Sequence, residues 1–83
     1  METEEIKNLI TVGLPDAQID IDGGDGKYQA RIISATFEGL TQVQRHQAVY
    51  ATVQAQIQSG ELHALSIEAL TPSEAEKDSA SYL

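Results

Sequence analysis

A chain of 83 residues, 41% of them hydrophobic, has room for one domain with one modest core and lies above the disordered range. With no cysteine, it supplies no disulfide, thiolate metal ligand or cysteine nucleophile of its own. Thirteen acidic residues against five basic ones give a net charge of −8, which argues against a strong, general nucleic-acid binder and leaves room only for a small basic patch.

The opening Met1-Glu2-Thr3-Glu4-Glu5 has the wrong charge for a secretory or transit signal, and no apolar run reaches membrane length. A cytoplasmic, reducing compartment without membrane association is the expectation. Thr3 can cap a first helix whose Glu4 and Glu5 favour the positive end of its dipole, with Ile6, Leu9 and Ile10 on the buried side. Gly13 and Pro15 end it. Ala17 to Asp22 alternates with period two and reads as a half-buried strand; Gly23-Gly24-Asp25-Gly26 reverses the chain, and Tyr28 to Ser34 returns it as a hairpin. Thr41-Gln42-Val43-Gln44 is a capping-box pattern that opens a long helix running to about Ser59, closed by Gly60. Val43, His46, Tyr50, Val53 and Ile57 recur at spacings of three and four, which predicts the inward face of that helix and leaves Arg45 in solvent. Leu62 to Leu70 reads as a third strand, and Thr71-Pro72-Ser73-Glu74 starts a short last helix. The expected order is α–β–β–α–β–α: an α+β fold with a three-stranded mixed sheet, strand order 1-2-3 or 2-1-3, and helices on one face. Residues 1–77 form the single domain, and Asp78 to Leu83 a tail with little to hold it.

Several patterns fail as sites. Asp20, Asp22 and Asp25 lack the spacing and closing Glu of a calcium loop. Gly23 to Gly26 is no phosphate loop, because no Lys-Ser/Thr pair follows and it joins two strands. It spells Gly-x-x-Gly, but a KH-type clamp lies between helices, and Asp25 repels phosphate. No Ser–His–Asp or paired-carboxylate arrangement emerges, and the reading is of a protein that is not an enzyme.

Phe37-Glu38-Gly39, Arg45-His46-Gln47-Ala48-Val49-Tyr50, His63-Ala64-Leu65-Ser66-Ile67 and Thr71-Pro72-Ser73-Glu74 resemble, in order and spacing, the signature of the BolA family. The acidic balance and short N-terminus are similar to its IbaG (YrbA) branch. The resemblance implies a class II KH-like fold and a role in iron–sulfur handling with a monothiol glutaredoxin. In that role a [2Fe–2S] cluster is shared between the glutaredoxin's cysteine, glutathione and an imidazole of the BolA protein, and the chain alone holds no cofactor. The matching histidine is His63. Imidazole is a competent iron ligand, and replacing thiolate with it raises a cluster's potential. Relatives often carry a second histidine or cysteine in the first hairpin loop, where this chain has neither. His46, Asp25 or a non-protein ligand is left to serve, or the complex is apo.

Read from the residues alone, His63 is a partly buried histidine bonded to backbone, and His46 a helix residue with a packing or hydrogen-bonding role. The resemblance implies a partner-binding rim of Gly23, Gly24, Asp25, Gly26, Lys27, Arg45, His46 and His63. The chain is expected to be a monomer alone and a heterodimer with its partner. The rival expectation is a DNA-binding transcriptional regulator of stress response and cell morphology.

Overall fold

A computed structural model describes residues 1–80, with side chains through Lys77. Helix α1 (Thr3–Gly13) leads into β1 (Gln18–Gly24) and β2 (Lys27–Ile33); a 3-10 turn (Ala35–Phe37) leads on to α2 (Gln42–Thr52), α3 (Gln54–Ser59), β3 (Ala64–Leu70) and α4 (Pro72–Ala80). The sheet order is β1-β2-β3, with β1 and β2 antiparallel and β2 and β3 parallel. This is the expected mixed sheet, and the order is 1-2-3. The expected tail lies largely outside the described residues: α4 reaches Ala80, and nothing beyond it is described.

Register explains the layering. Ile19, Ile32 and Ala69 stand side by side across the three strands, as do Ile21, Ala30 and Ile67, and then Gly23, Tyr28 and Leu65. These form the face on which Ile6, Ile10, Leu14, Phe37, Val49, Val53 and Leu62 complete the core. The opposite face carries Asp20, Asp22, Gln29, Arg31, Ser66 and Glu68, the polar half of each alternation. Helices therefore cover one face only. Among the described residues no helix is long and apolar enough to cross a membrane.

Both capping boxes close as the sequence predicts. Gln44 N–H donates to Thr41 Oγ1 at 3.2 Å, and Thr41 N–H to Gln44 Oε1 at 3.0 Å. Glu74 N–H donates to Thr71 Oγ1 at 3.2 Å, and Thr71 N–H to Glu74 Oε1 at 2.9 Å. At α1 the cap is Glu2 instead of Thr3, its N–H donating to Glu5 Oε1 at 3.3 Å. Gly13 is the last helical residue rather than the one beyond; a Cβ there would lie 2.4 Å from Thr52 Cγ2, so glycine lets α1 and α2 approach.

Three expectations are overturned. The long helix breaks at Val53, whose N–H bonds the Tyr50 carbonyl three residues back, so α2 and α3 are separate elements. The inward face is Arg45, Val49 and Val53: of the expected stripe Val53 is fully buried and His46 half-buried, while Val43 is 66% exposed and Tyr50 and Ile57 39% each. Arg45, expected in solvent, is only 6% exposed.

The burial of Arg45 has a clear physical reason. Its guanidinium donates to Glu74 Oε1 at 2.6 Å and Oε2 at 3.2 Å, to Ala69 O at 3.1 Å and to Leu40 O at 3.1 Å, and lies 6.0 Å from the Phe37 ring centroid. A bidentate carboxylate and two carbonyls satisfy the fork, and an aromatic face covers it. Arg45 thus ties α2, β3 and α4 together. The hydrogen bond from Arg45, and then that from the Thr71 N–H, lower the Glu74 pKa from 4.5 to about 2. A second clamp holds the α1–β1 connection: Asp16 accepts from Ser34 Oγ at 2.9 Å, Ala35 N–H at 3.0 Å and Thr36 Oγ1 at 3.2 Å, and its pKa is lowered, chiefly by Ser34.

Candidate functional site

The hairpin turn is a two-residue loop, Asp25-Gly26, with φ of 55° and 80°. Left-handed backbone at both positions is what a tight antiparallel turn requires, and Asp-Gly is a preferred pair for it. The turn's carbonyl is aimed at the third strand: Gly26 O accepts from His63 N–H at 2.7 Å and from Ala64 N–H at 3.0 Å. His63 therefore does not lie within β3, as the expected strand from Leu62 to Leu70 has it, but immediately precedes its first residue, Ala64. The Leu62 N–H donates to Gln56 O at 3.1 Å, which draws the chain before His63 toward α3.

The side chain follows the backbone. A Cβ on Gly26 would lie 2.1 Å from His63 Cδ2 and 3.0 Å from Cγ, so the imidazole rests directly on the glycine, in space any other residue would fill. His63 is nonetheless exposed. Two backbone hydrogen bonds and a bare glycine surface hold an accessible imidazole at the hairpin end of the sheet.

A depression of about 400 Å³ adjoins this end, lined among others by Asp22, Lys27, Gln29, Ala64 and Ser66. Lys27 there is flanked across both ladders by residues with little side chain, Gly24 on β1 and Ala64 on β3. A second depression, about 510 Å³, crosses the middle of the polar sheet face, where Arg31 pairs with Glu68 at 3.8 Å.

The expected rim divides. Gly26 lies against His63 and Lys27 pairs with Ala64 beside it, while Gly23, Gly24 and Asp25 belong to the same hairpin. His46 and Arg45 do not join them. Arg45 Nη1 reaches Ala69 O and Tyr50 Oη reaches Leu65 O at 2.8 Å, so α2 runs antiparallel to β3. Leu65 and Ala69 are about 13 Å apart along a strand. His46, one turn before Tyr50, lies toward the Ala69 end, whereas His63 lies beyond Leu65 at the other. His46 is half-buried. Among the described residues no three His, Cys, Asp or Glu side chains come together in a way that holds a metal, and the chain has no cysteine.

Gly26, which the resemblance places in the partner-binding rim, lies directly under His63, a contact that the sequence reading does not give. Asp-Gly between two strand patterns signals a tight turn, but that the glycine lies under His63 depends on β3 pairing parallel to β2.

The match to known proteins follows the same elements. The family model described as BolA-like protein matches residues 13–74. The chain is 40% identical over 79 residues to a protein from the rpoN-murA intergenic region of Acinetobacter guillouiae, covering 95% of each. It is 30% identical over 78 residues to the acid stress protein IbaG of Escherichia coli strain K12, covering 94% of this chain and 93% of the relative. A bolA protein homologue from Coxiella burnetii superimposes with a TM-score of 0.82 at 35% identity, covering 92% of this chain and 97% of that one. With the matched region spanning the hairpin, Arg45, His63 and Glu74, the chain belongs to the BolA family.

Proposed function

We propose that this chain is a non-enzymatic adaptor that binds a monothiol glutaredoxin and presents His63 as one ligand to a bridging [2Fe–2S] cluster, in iron–sulfur trafficking or redox sensing. The observation that carries the reading is the presentation of His63: exposed, anchored to Gly26 O through its own N–H and that of Ala64, with its ring on the Gly26 backbone. A ligand that must meet a centre on another protein needs a fixed backbone and an open ring, and fixing the ring beforehand lowers the entropy lost on docking. The donor set agrees with sharing: the chain offers one imidazole here and no cysteine, the glutaredoxin's cysteine and glutathione supply two further ligands, and Asp25 or a non-protein ligand is left for the fourth. The cluster is cargo, and this chain's part is to hold a neutral imidazole nitrogen in place.

The test is anaerobic co-purification with a monothiol glutaredoxin in glutathione, read by visible absorption and circular dichroism. His63→Ala removes the mixed-complex spectrum and leaves the glutaredoxin's own cluster signature, while folding and apo-complex formation persist. His46→Ala has the smaller effect. An intact spectrum in His63→Ala and a lost one in His46→Ala would place the ligand on α2 instead.

A further inference from the structure

The two edges of the sheet are finished differently. Gly24 and Lys27 close the two-residue turn as a hydrogen-bonded pair. Alternation along the ladder then turns the N–H and C=O groups of Asp20, Asp22 and Gly24 toward β2, and those of Ile21 and Gly23 outward. On β3 the outward residues are Leu65, Ile67 and Ala69, because Ala64 N–H bonds Gly26 O and Leu70 O accepts from Ser34 N–H on the β2 side. Helix α2 reaches over two of those outward carbonyls: Tyr50 Oη donates to Leu65 O, and Arg45 Nη1 to Ala69 O. Nothing does the same for β1. Among the described residues the outward groups of Ile21 and Gly23 meet no hydrogen-bond partner, and every residue from Asp20 to Gly24 is exposed or half-buried.

The side chains say what completes this edge. Across the polar face Asp20, Arg31 and Glu68 form one row that alternates in sign, with Arg31 3.8 Å from Glu68, and the row ends at the open edge on a carboxylate. The next row, Asp22, Gln29 and Ser66, ends there on a carboxylate too. Between the two aspartates Ile21 turns to the other face, where it packs against the core but stays half-buried.

We propose that the β1 edge from Asp20 to Gly24 accepts an added strand, an extended segment of a partner protein that places one apolar residue between two basic ones. In the antiparallel pairing the apolar residue lies opposite Ile21, exchanges both backbone hydrogen bonds with it and covers its side chain. The basic residues then face Asp20 and Asp22 at the non-hydrogen-bonded positions, where opposed side chains come closest. Both rows continue with the sign they lack. The same carboxylates reject a second copy, since pairing β1 with itself about Ile21 sets Asp20 against Asp22 on both sides of the axis. A net charge of −8 draws a basic segment toward the chain and repels another acidic one. The proposal does not depend on the role of His63.

A strand of five residues spans about 17 Å, so the contact falls below the standard size of a stable interface. Binding is weak and salt-sensitive, with a dissociation constant on the order of 0.1–1 mM.

The test titrates a short capped peptide, lysine–valine–lysine between threonines, into the isotope-labelled full chain and follows the backbone amide resonances. Shifts concentrate on β1 between Asp20 and Gly24, the Ile21 N–H becomes protected from exchange, and raising salt weakens the complex. Methylating the valine nitrogen abolishes binding, because that N–H donates to Ile21 O; methylating a lysine nitrogen, which points away from β1, does not. Replacing both lysines with glutamate also abolishes it. Asp22→Lys, folded by circular dichroism, weakens binding of the lysine peptide on the order of tenfold and improves that of the glutamate peptide. Shifts centred away from β1, a methylated valine that binds as well as the parent, or an Asp22→Lys chain with unchanged preference overturns the proposal. So does the same set of β1 shifts on concentrating the chain alone, which would assign the edge to a second copy.

Discussion

Replacing Gly26 with alanine tests the contact on which the His63 site stands. Two costs combine at this position. Its φ of 80° is left-handed backbone, where a side chain costs about 1–2 kcal/mol. The new methyl would also sit 2.1 Å from His63 Cδ2, more than an ångström inside ordinary contact, so the ring must swing away. Forcing one extra carbon into occupied space costs about 1–3 kcal/mol. Gly26→Ala should therefore destabilise by about 2–5 kcal/mol. Gly60 supplies the control: it closes α3 with a φ of 84°, and a Cβ there meets nothing within 4 Å. Gly60→Ala should cost only the backbone term, about 1–2 kcal/mol. For an 83-residue chain with a total stability of about 4–12 kcal/mol, both are measurable. Urea unfolding followed by far-ultraviolet circular dichroism gives the free energies, and thermal melts should separate by about 4–8 °C per kcal/mol. The decisive measurement is the cycle with His63→Ala: without the ring, Gly26→Ala should fall to the cost of Gly60→Ala, a coupling of about 1–3 kcal/mol. Equal costs for the two glycine variants with no coupling to His63 would refute the packed arrangement. The same swing should weaken the mixed cluster spectrum in Gly26→Ala, even under conditions where the variant is folded.

Other outcomes follow from the clamps and the core. Glu74 has its pKa lowered to about 2 from 4.5, so the stability from its pairing with Arg45 is fully present above about pH 4.5 and is lost as pH falls from there toward 2. Urea midpoints measured from pH 7 down to pH 3 should show the wild type losing its advantage over Glu74→Gln; a constant difference between them would deny the linkage. Val49→Ala, at a fully buried position, should cost about 2 kcal/mol, whereas Val43→Ala, 66% exposed, should leave the urea midpoint of a dilute sample nearly unchanged; the reverse ranking would restore the inward stripe read from periodicity. At about 0.15 M salt the chain should bind random-sequence duplex DNA no more tightly than a typical non-specific binder, as a net charge of −8 implies, and sub-micromolar affinity in a fluorescence-anisotropy titration would favour a regulator instead.

Local chemistry was sufficient for the elements. Thr41 with Gln44 and Thr71 with Glu74 mark helix starts because their partners lie three residues away, and the Ile19–Ile21 alternation marks a strand because successive side chains face opposite sides. The family likeness added the site's histidine, since motif order survives in a linear string. What the string does not hold is which of two faces of α2 turns inward. Val43, Tyr50 and Ile57 and the set Arg45, Val49 and Val53 are both helical stripes, and the first is the more apolar in composition. The second wins because Glu74 and the Ala69 carbonyl wait on α4 and β3 to satisfy the guanidinium, partners separated from Arg45 by 29 and 24 residues. The same holds for His63. Its identity is legible one residue at a time, but its support is Gly26 on another turn, brought under the ring only when β3 pairs parallel to β2. Periodicity and caps act within a few residues and are written locally; burial of an arginine and the seating of a ring depend on distant groups, which tertiary packing alone brings together.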